Sequence, residues 1–142
     1  MFVNRTPHVI NVQAENGTEL AIPPSNKPPI RIQSERRYVQ DVGGVPCFTS
    51  KFTRESLDQA ANEICAESEE SGGSLIIVPA LILNSLDDNC YSHRCAMRVA
   101  VAPDSSPQGA IRNEDGVIVG VKSFQVGTVV LPSKEWESDV SY

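Results

Sequence analysis

No apolar run in this chain approaches the length a membrane-spanning helix needs; the longest, Leu75 to Leu83, is broken by Pro79. The opening MFVNRTPHVINV has neither a long apolar core nor a small-residue cleavage site, so no signal peptide is expected and a cytosolic protein is. There is no P-loop, no dinucleotide-type glycine fingerprint and no HExxH, which removes the commonest sequence-visible nucleotide and zinc-hydrolase sites. Histidine is scarce: His8 and His93 are the only two, and neither lies near a Gly-flanked Ser or Cys nucleophile motif. A basic excess is lacking too. The net charge of −6 disfavours wrapping a nucleic-acid polymer, which takes a broad cationic surface.

The acidity is local. Residues 54–70 carry six acids against one Arg and residues 135–142 carry three acids and no base, whereas residues 71–134 balance five against five. A small anion can therefore still be held by a few local cations. With 142 residues, 40% of them apolar, one domain with a real core is expected over residues 1–132, followed by an acidic tail over 133–142. Four cysteines in a cytosolic chain read as thiols. Cys90-Tyr91-Ser92-His93-Arg94-Cys95, with Cys47 as a distant fourth ligand, hints at zinc, but structural zinc sites use two short Cys/His pairs and there is no second pair. No metal and no cofactor are expected.

Val9–Val12 and Glu19–Ile22 flank the turn Glu15-Asn16-Gly17-Thr18 as a hairpin. Prolines 23, 24, 28 and 29 bracket a loop, and Ile30–Gln33 restarts the sheet. Tyr38–Val42 and Val45–Phe52 pair about Gly43-Gly44, which makes the first 52 residues an antiparallel meander of about five strands. The period then changes. Leu57, Ala60, Ala61, Ile64 and Cys65 form a helical stripe after a capping-box-like Ser56-Leu57-Asp58-Gln59, with Glu55, Asp58, Glu63, Glu67 and Glu69 as a solvated face. Ser71-Gly72-Gly73 ends that helix, Leu75–Val78 is a buried central strand, Ala80–Leu86 a short helix, and Asp87–Arg94 a polar loop. The expected class is α+β: an antiparallel sheet, meander plus C-terminal hairpin, with two helices.

The candidate site lies in the last third. If Ala96–Ala102 is a strand, Arg98 stands in a trough between Ala96, Ala100 and Ala102. If Val117–Phe124 is another, Gly120, Lys122 and Phe124 share a face. Asp104 either caps the turn Pro103–Pro107 or accepts from a ribose or an adenine amine; Arg112 either forks a phosphate or pairs with Glu114. Asn113–Gly116 alone is a turn, and Thr6-Pro7-His8 reads as a turn whose side chains bond the backbone.

Taken together, Asn4, Thr6-Pro7-His8, Gly44-Val45-Pro46, Ile76–Pro79, Pro103-Asp104, Ile111–Gly116, Ile118 and Gly120–Phe124 resemble, in order and spacing, the type-one Thoeris anti-defence proteins encoded by phages. The resemblance covers most of residues 1–130. It implies a sponge: a protein that captures cyclic ADP-ribose isomers in the infected bacterial cytoplasm without degrading them, some members also holding cyclic di- or trinucleotides. It further implies a homo-oligomer, from dimer to hexamer, with pockets between protomers. Transferred by motif, ligand binding falls on Asp104, Arg112, Lys122 and Phe124, with Arg98 added from the face analysis. The helix over 54–70 and the loop over 87–95 depart from the family pattern, and that loop offers Tyr91 or Arg94 to a pocket. Two rivals remain: an enzyme that degrades the signal with His8 or Asp104 as base, and a phage assembly protein with no nucleotide site.

Overall fold

A computed structural model describes residues 1–88 and 90–127; the acidic tail lies outside these described residues. The class is α+β, with three helices where two are expected, and with strands that are mostly antiparallel. Two of the sheets are mixed. In the first, β1 (Phe2–Asn4) pairs parallel with β6 (Leu75–Ile77), β6 parallel with β7 (Ala100–Pro103), and β7 antiparallel with β10 (Phe124–Val126). β6 is central and apolar on both faces, as its unbroken Leu-Ile-Ile run requires.

A second sheet has the order β3 (Glu19–Ile22), β2 (Ile10–Gln13), β9 (Ile118–Val121), β8 (Ala110–Arg112). It joins the antiparallel hairpins β2–β3 and β8–β9 through a parallel β2–β9 pairing. β4 (Ser34–Val42) and β5 (Val45–Phe52) form a separate two-stranded ribbon. Its two-residue turn is Gly43-Gly44 with φ of 59° and 80°, left-handed values that glycine adopts without strain. The first 52 residues are thus not one meander but contribute to three separate sheets. Ile30–Gln33 is not a strand either. Its backbone amides are satisfied elsewhere, Ile30 N–H by the Arg5 carbonyl and Gln33 N–H by Ser56 Oγ.

The long helix α1 (Arg54–Glu70) has the expected bounds, but Thr53 is its N-cap and accepts from Ser56 N–H, placing the cap three residues before the capping box read from sequence. Leu57, Ala60, Ala61 and Ile64 of α1 pack with Ile76 and Val78, with Ile82, Leu83 and Leu86 around α2 (Ala80–Ser85), and with Ala96 and Met97 of α3 (Tyr91–Val99). The helix α3 is the largest departure from expectation. Residues 96–99 are helical, and the sheet resumes only at Ala100.

The acidic face of α1 is only partly solvated. Glu67 is buried and bonds to Arg5, which is itself 1% exposed at the end of β1. Arg5 also donates to Glu63 and, through Nε, to the Pro28 carbonyl at 2.9 Å. Burial works against the guanidinium charge, but the bonds to Glu67 and Glu63 outweigh it and raise its pKa. This pair ties α1 to the parallel edge strand and to the proline loop.

Candidate functional site

The residues singled out from sequence do not converge within one chain. Arg98 sits on the exposed side of α3, so its alternation with Ala96 and Ala100 defines no sheet face. Phe124 belongs to β10, in the other sheet from Gly120, and its ring packs on Phe2 with centroids 5.0 Å apart. The supposed continuous strand from Val117 breaks at Lys122-Ser123, where Lys122 N–H bonds the Gly109 carbonyl and Ser123 O accepts from Asp104 N–H. Gly120 has a structural reason to be glycine: a Cβ there would meet the Asn11 carbonyl oxygen at 3.1 Å, across the β2–β9 pair.

Asp104 caps its turn. Its carboxylate accepts from Ser106 N–H at 3.0 Å, Gln125 Nε2 at 3.1 Å and Ser123 Oγ at 3.1 Å. Bonds from the Ser106 hydroxyl and amide, and then from Gln125, pull its pKa from 3.8 down to about 2, which makes it a weak base. The folded pKa is depressed, so Asp104 stabilises the fold above pH 3.8 and loses that contribution as pH falls toward 2. Asp104→Asn is therefore expected to lower the thermal midpoint at neutral pH, with the gap to wild type narrowing as pH falls through this window; scanning calorimetry across pH checks it, and a pH-independent gap would refute it. Gly109 shares the site: a Cβ there would overlap the Asp104 side chain.

Arg112 donates to the Gly116 carbonyl at 2.6 Å and so closes the Asn113–Gly116 turn instead of pairing with Glu114. It is exposed and lies opposite Ile118, while Lys122 is exposed four residues further along the chain from Ile118. Four residues of strand at about 3.3 Å each separate their backbone positions by on the order of 13 Å, so the two cations belong to opposite ends of the hairpin. Among the described residues neither Lys122 nor Arg98 has an ion-pair partner. Beside this hairpin runs a groove of about 240 Å³, lined by His8, Val9, Asn11 and Pro103 and by Ile118 to Val121. His8 is exposed at its rim, while Thr6 and Asn4 bond the turn backbone as the sequence predicts.

Tyr91 is 75% exposed at the start of α3, and Arg94 is exposed and donates to the Asp88 carbonyl at 3.2 Å. Neither lines this groove. What the 87–95 segment does build is a polar cluster against α1 that sequence reasoning missed. His93, fully buried, has Nε2 at 2.8 Å from Asp58 Oδ1, and its Nδ1 accepts from Asp87 N–H at 3.2 Å. Arg54 bonds Asp58 through Nε at 3.1 Å and Asp87 through Nη1 at 2.8 Å. Cys90 Sγ lies 3.4 Å from Ser92 Oγ and 3.9 Å from Arg54 Nη2. Bonds from the Ser92 hydroxyl and the His93 amide, aided by Arg54, lower the Cys90 pKa. Cys65 behaves oppositely: burial and its neighbour Cys95 push it up to about 12. All four cysteines are free thiols. The sequence signal for this cluster was the Cys90/His93 spacing; Asp58, 32 residues before Cys90, enters only through tertiary packing.

Comparison with family models, with curated proteins and with solved structures finds no match for this chain. Among the described residues no helix is long and apolar enough to cross a membrane.

Proposed function

We propose that this protein is a sponge that captures a cyclic ADP-ribose-type immune signal, releases it unchanged, and completes its pocket between two copies of the chain. The observation that carries this is the division of the cations. Lys122 and Arg112 stand exposed and without carboxylate partners among the described residues, at opposite ends of one hairpin, where a facing copy would add its own groups around a pyrophosphate. The β4–β5 ribbon, with Tyr38, Val39, Val42, Val45 and Phe48 all exposed, supplies a surface for that copy. The motif residues Asn4, Thr6, Asp104 and Asn113 each hold a turn by hydrogen bonds. Asp104, committed to donors from Ser106, Ser123 and Gln125, orders the loop beside the pocket instead of abstracting a proton. Cyclic di- and trinucleotides are the second ligand class this chemistry would take.

Cyclic ADP-ribose isomers incubated with the protein, retained on a filter and released by heat are expected to return chemically intact. An altered product would establish the degrading enzyme instead, and absence of retention for these isomers and for cyclic trinucleotides would leave the assembly role. Lys122→Ala is expected to weaken binding about 10- to 100-fold, the value of one charge-assisted hydrogen bond of about 1.5–3 kcal/mol. Isothermal titration calorimetry reads this directly.

A further inference from the structure

Asp58, Cys90 and His93 offer three chemically different donors, a carboxylate oxygen, a sulfur and a ring nitrogen, all within 4.8 Å of one another. Cys90 immediately precedes α3 and His93 lies in its first turn, three residues on, so one face presents both; Asp58, in the first turns of α1, meets them across the helix–helix contact. We propose that these three side chains bind a zinc-class divalent cation that pins α3 to α1.

The donor set selects the class of ion. Magnesium and calcium take oxygen ligands, whereas a mixed sulfur, nitrogen and oxygen set suits zinc, with bonds of about 2.0–2.3 Å. Tetrahedral bonds of that length put donor atoms roughly 3.3–3.8 Å apart, so small side-chain rotations bring the three into position. The cation takes His93 Nε2 as a ligand in place of its hydrogen bond to Asp58 Oδ1. Without the cation His93 Nδ1 accepts from Asp87 N–H. With the metal on Nε2 the ring proton moves to Nδ1, which then donates to Asp87 Oδ1, 3.4 Å away, as an outer carboxylate orients a metal-bound imidazole. Arg54 and His93 both contact Asp58 through Oδ1, which leaves Oδ2 to coordinate.

Charge balance points the same way. Asp58 and Asp87 against Arg54 leave one net negative charge beside the three donors, which favours a cation there. Access is open on one side: His93 is buried, but the Asp58 side chain is 42% exposed and Cys90 is half-buried. Three protein ligands leave the fourth position to water. The other thiols are elsewhere, Cys47 out on the ribbon and Cys95 beside Cys65, so the zinc ligands hinted at by sequence are corrected to Asp58, Cys90 and His93.

The test titrates the full chain, carrying no affinity tag, with cobalt(II) and then zinc. Wild type is expected to bind one cobalt with a thiolate-to-metal charge-transfer band that zinc abolishes, and zinc is expected to raise its thermal midpoint. Cys90→Ser, nearly isosteric at a half-exposed position, should lose both the band and the zinc-induced shift while keeping its far-UV circular dichroism. Asp58→Asn should weaken zinc at least tenfold. No band in wild type would overturn the proposal, as would a band that survives Cys90→Ser, since another thiol would then be the ligand.

Discussion

Arg5→Met is expected to destabilise the fold by about 3–5 kcal/mol, because it leaves Glu67 charged and buried with its main partner gone. A domain of this size is stable by roughly 5–15 kcal/mol, so the variant would sit near its unfolding threshold at room temperature. Lys27 pairs with Glu67 at 3.5 Å, but it is half exposed and too well hydrated to replace the buried guanidinium. The loss is wider than one ion pair. Arg5 Nε holds the Pro28 carbonyl, and the Arg5 backbone bonds Ile77 on one side and Ile30 on the other. The double variant Arg5→Met/Glu67→Leu should recover much of the loss, since an apolar pair of similar volume replaces a buried ion pair at little or no cost. Urea unfolding of the two variants measures both. A double variant as unstable as the single one would shift the explanation from the charge pair to the Pro28 contact.

That network also marks how far the sequence could be read. Arg5 stands between Asn4 and Thr6 in what reads as a polar turn, and nothing local indicates that residues 58 and 62 places further on will bury its charge. The elements with strong local signals were legible. The Asn16-Gly17 hairpin, the Gly43-Gly44 ribbon, the apolar stripe of α1 and the buried strand β6 all follow from period, turn chemistry or composition. The segment from Tyr91 to Ala102 carried two conflicting periods. Met97, Val99 and Val101 alternate as in a strand, while His93, Ala96, Met97 and Ala100 recur at helical spacing; all four of the latter are buried, and Val101 and Ala102 are buried too where β7 has begun. Packing against α1 decided for the helix. With that choice Arg98 left the sheet, and a site assembled from strand alternation lost one of its members. Ile30–Gln33 failed for a different reason: its alternation is real, but Arg5 and Ser56 take the hydrogen bonds a neighbouring strand would have used.

Phe48→Asp is expected to convert the protein to a monomer and to reduce retention of cyclic ADP-ribose isomers by more than a hundredfold. The ribbon projects nine residues of β4 and eight of β5 away from the core, with every β4 residue exposed. A lone two-stranded hairpin is at best marginally stable in water, so its length and apolar content ask for a cover. Among the described residues its ring contacts are internal: Tyr38 meets Phe48 edge-on at 5.7 Å, and the Arg36 guanidinium lies 3.7 Å from the centre of the Phe48 ring. Glu35, Arg36, Arg37, Asp41 and Lys51 mix both signs along the ribbon, which allows a two-fold-related copy to match charge against charge. An aspartate at the centre of such an interface would be desolvated without a partner, a cost of several kcal/mol that two-fold symmetry doubles. The core is untouched, so circular dichroism should stay unchanged while sedimentation reports the lower mass. Retention would fall with assembly only if the second copy supplies part of the pocket. A monomeric variant that still holds the ligand would place the whole site within one chain, with the two hairpin cations serving separate contacts. An unchanged mass would remove the ribbon from the interface, and the groove lined by His8, Asn11 and Val119 would become the next surface to substitute.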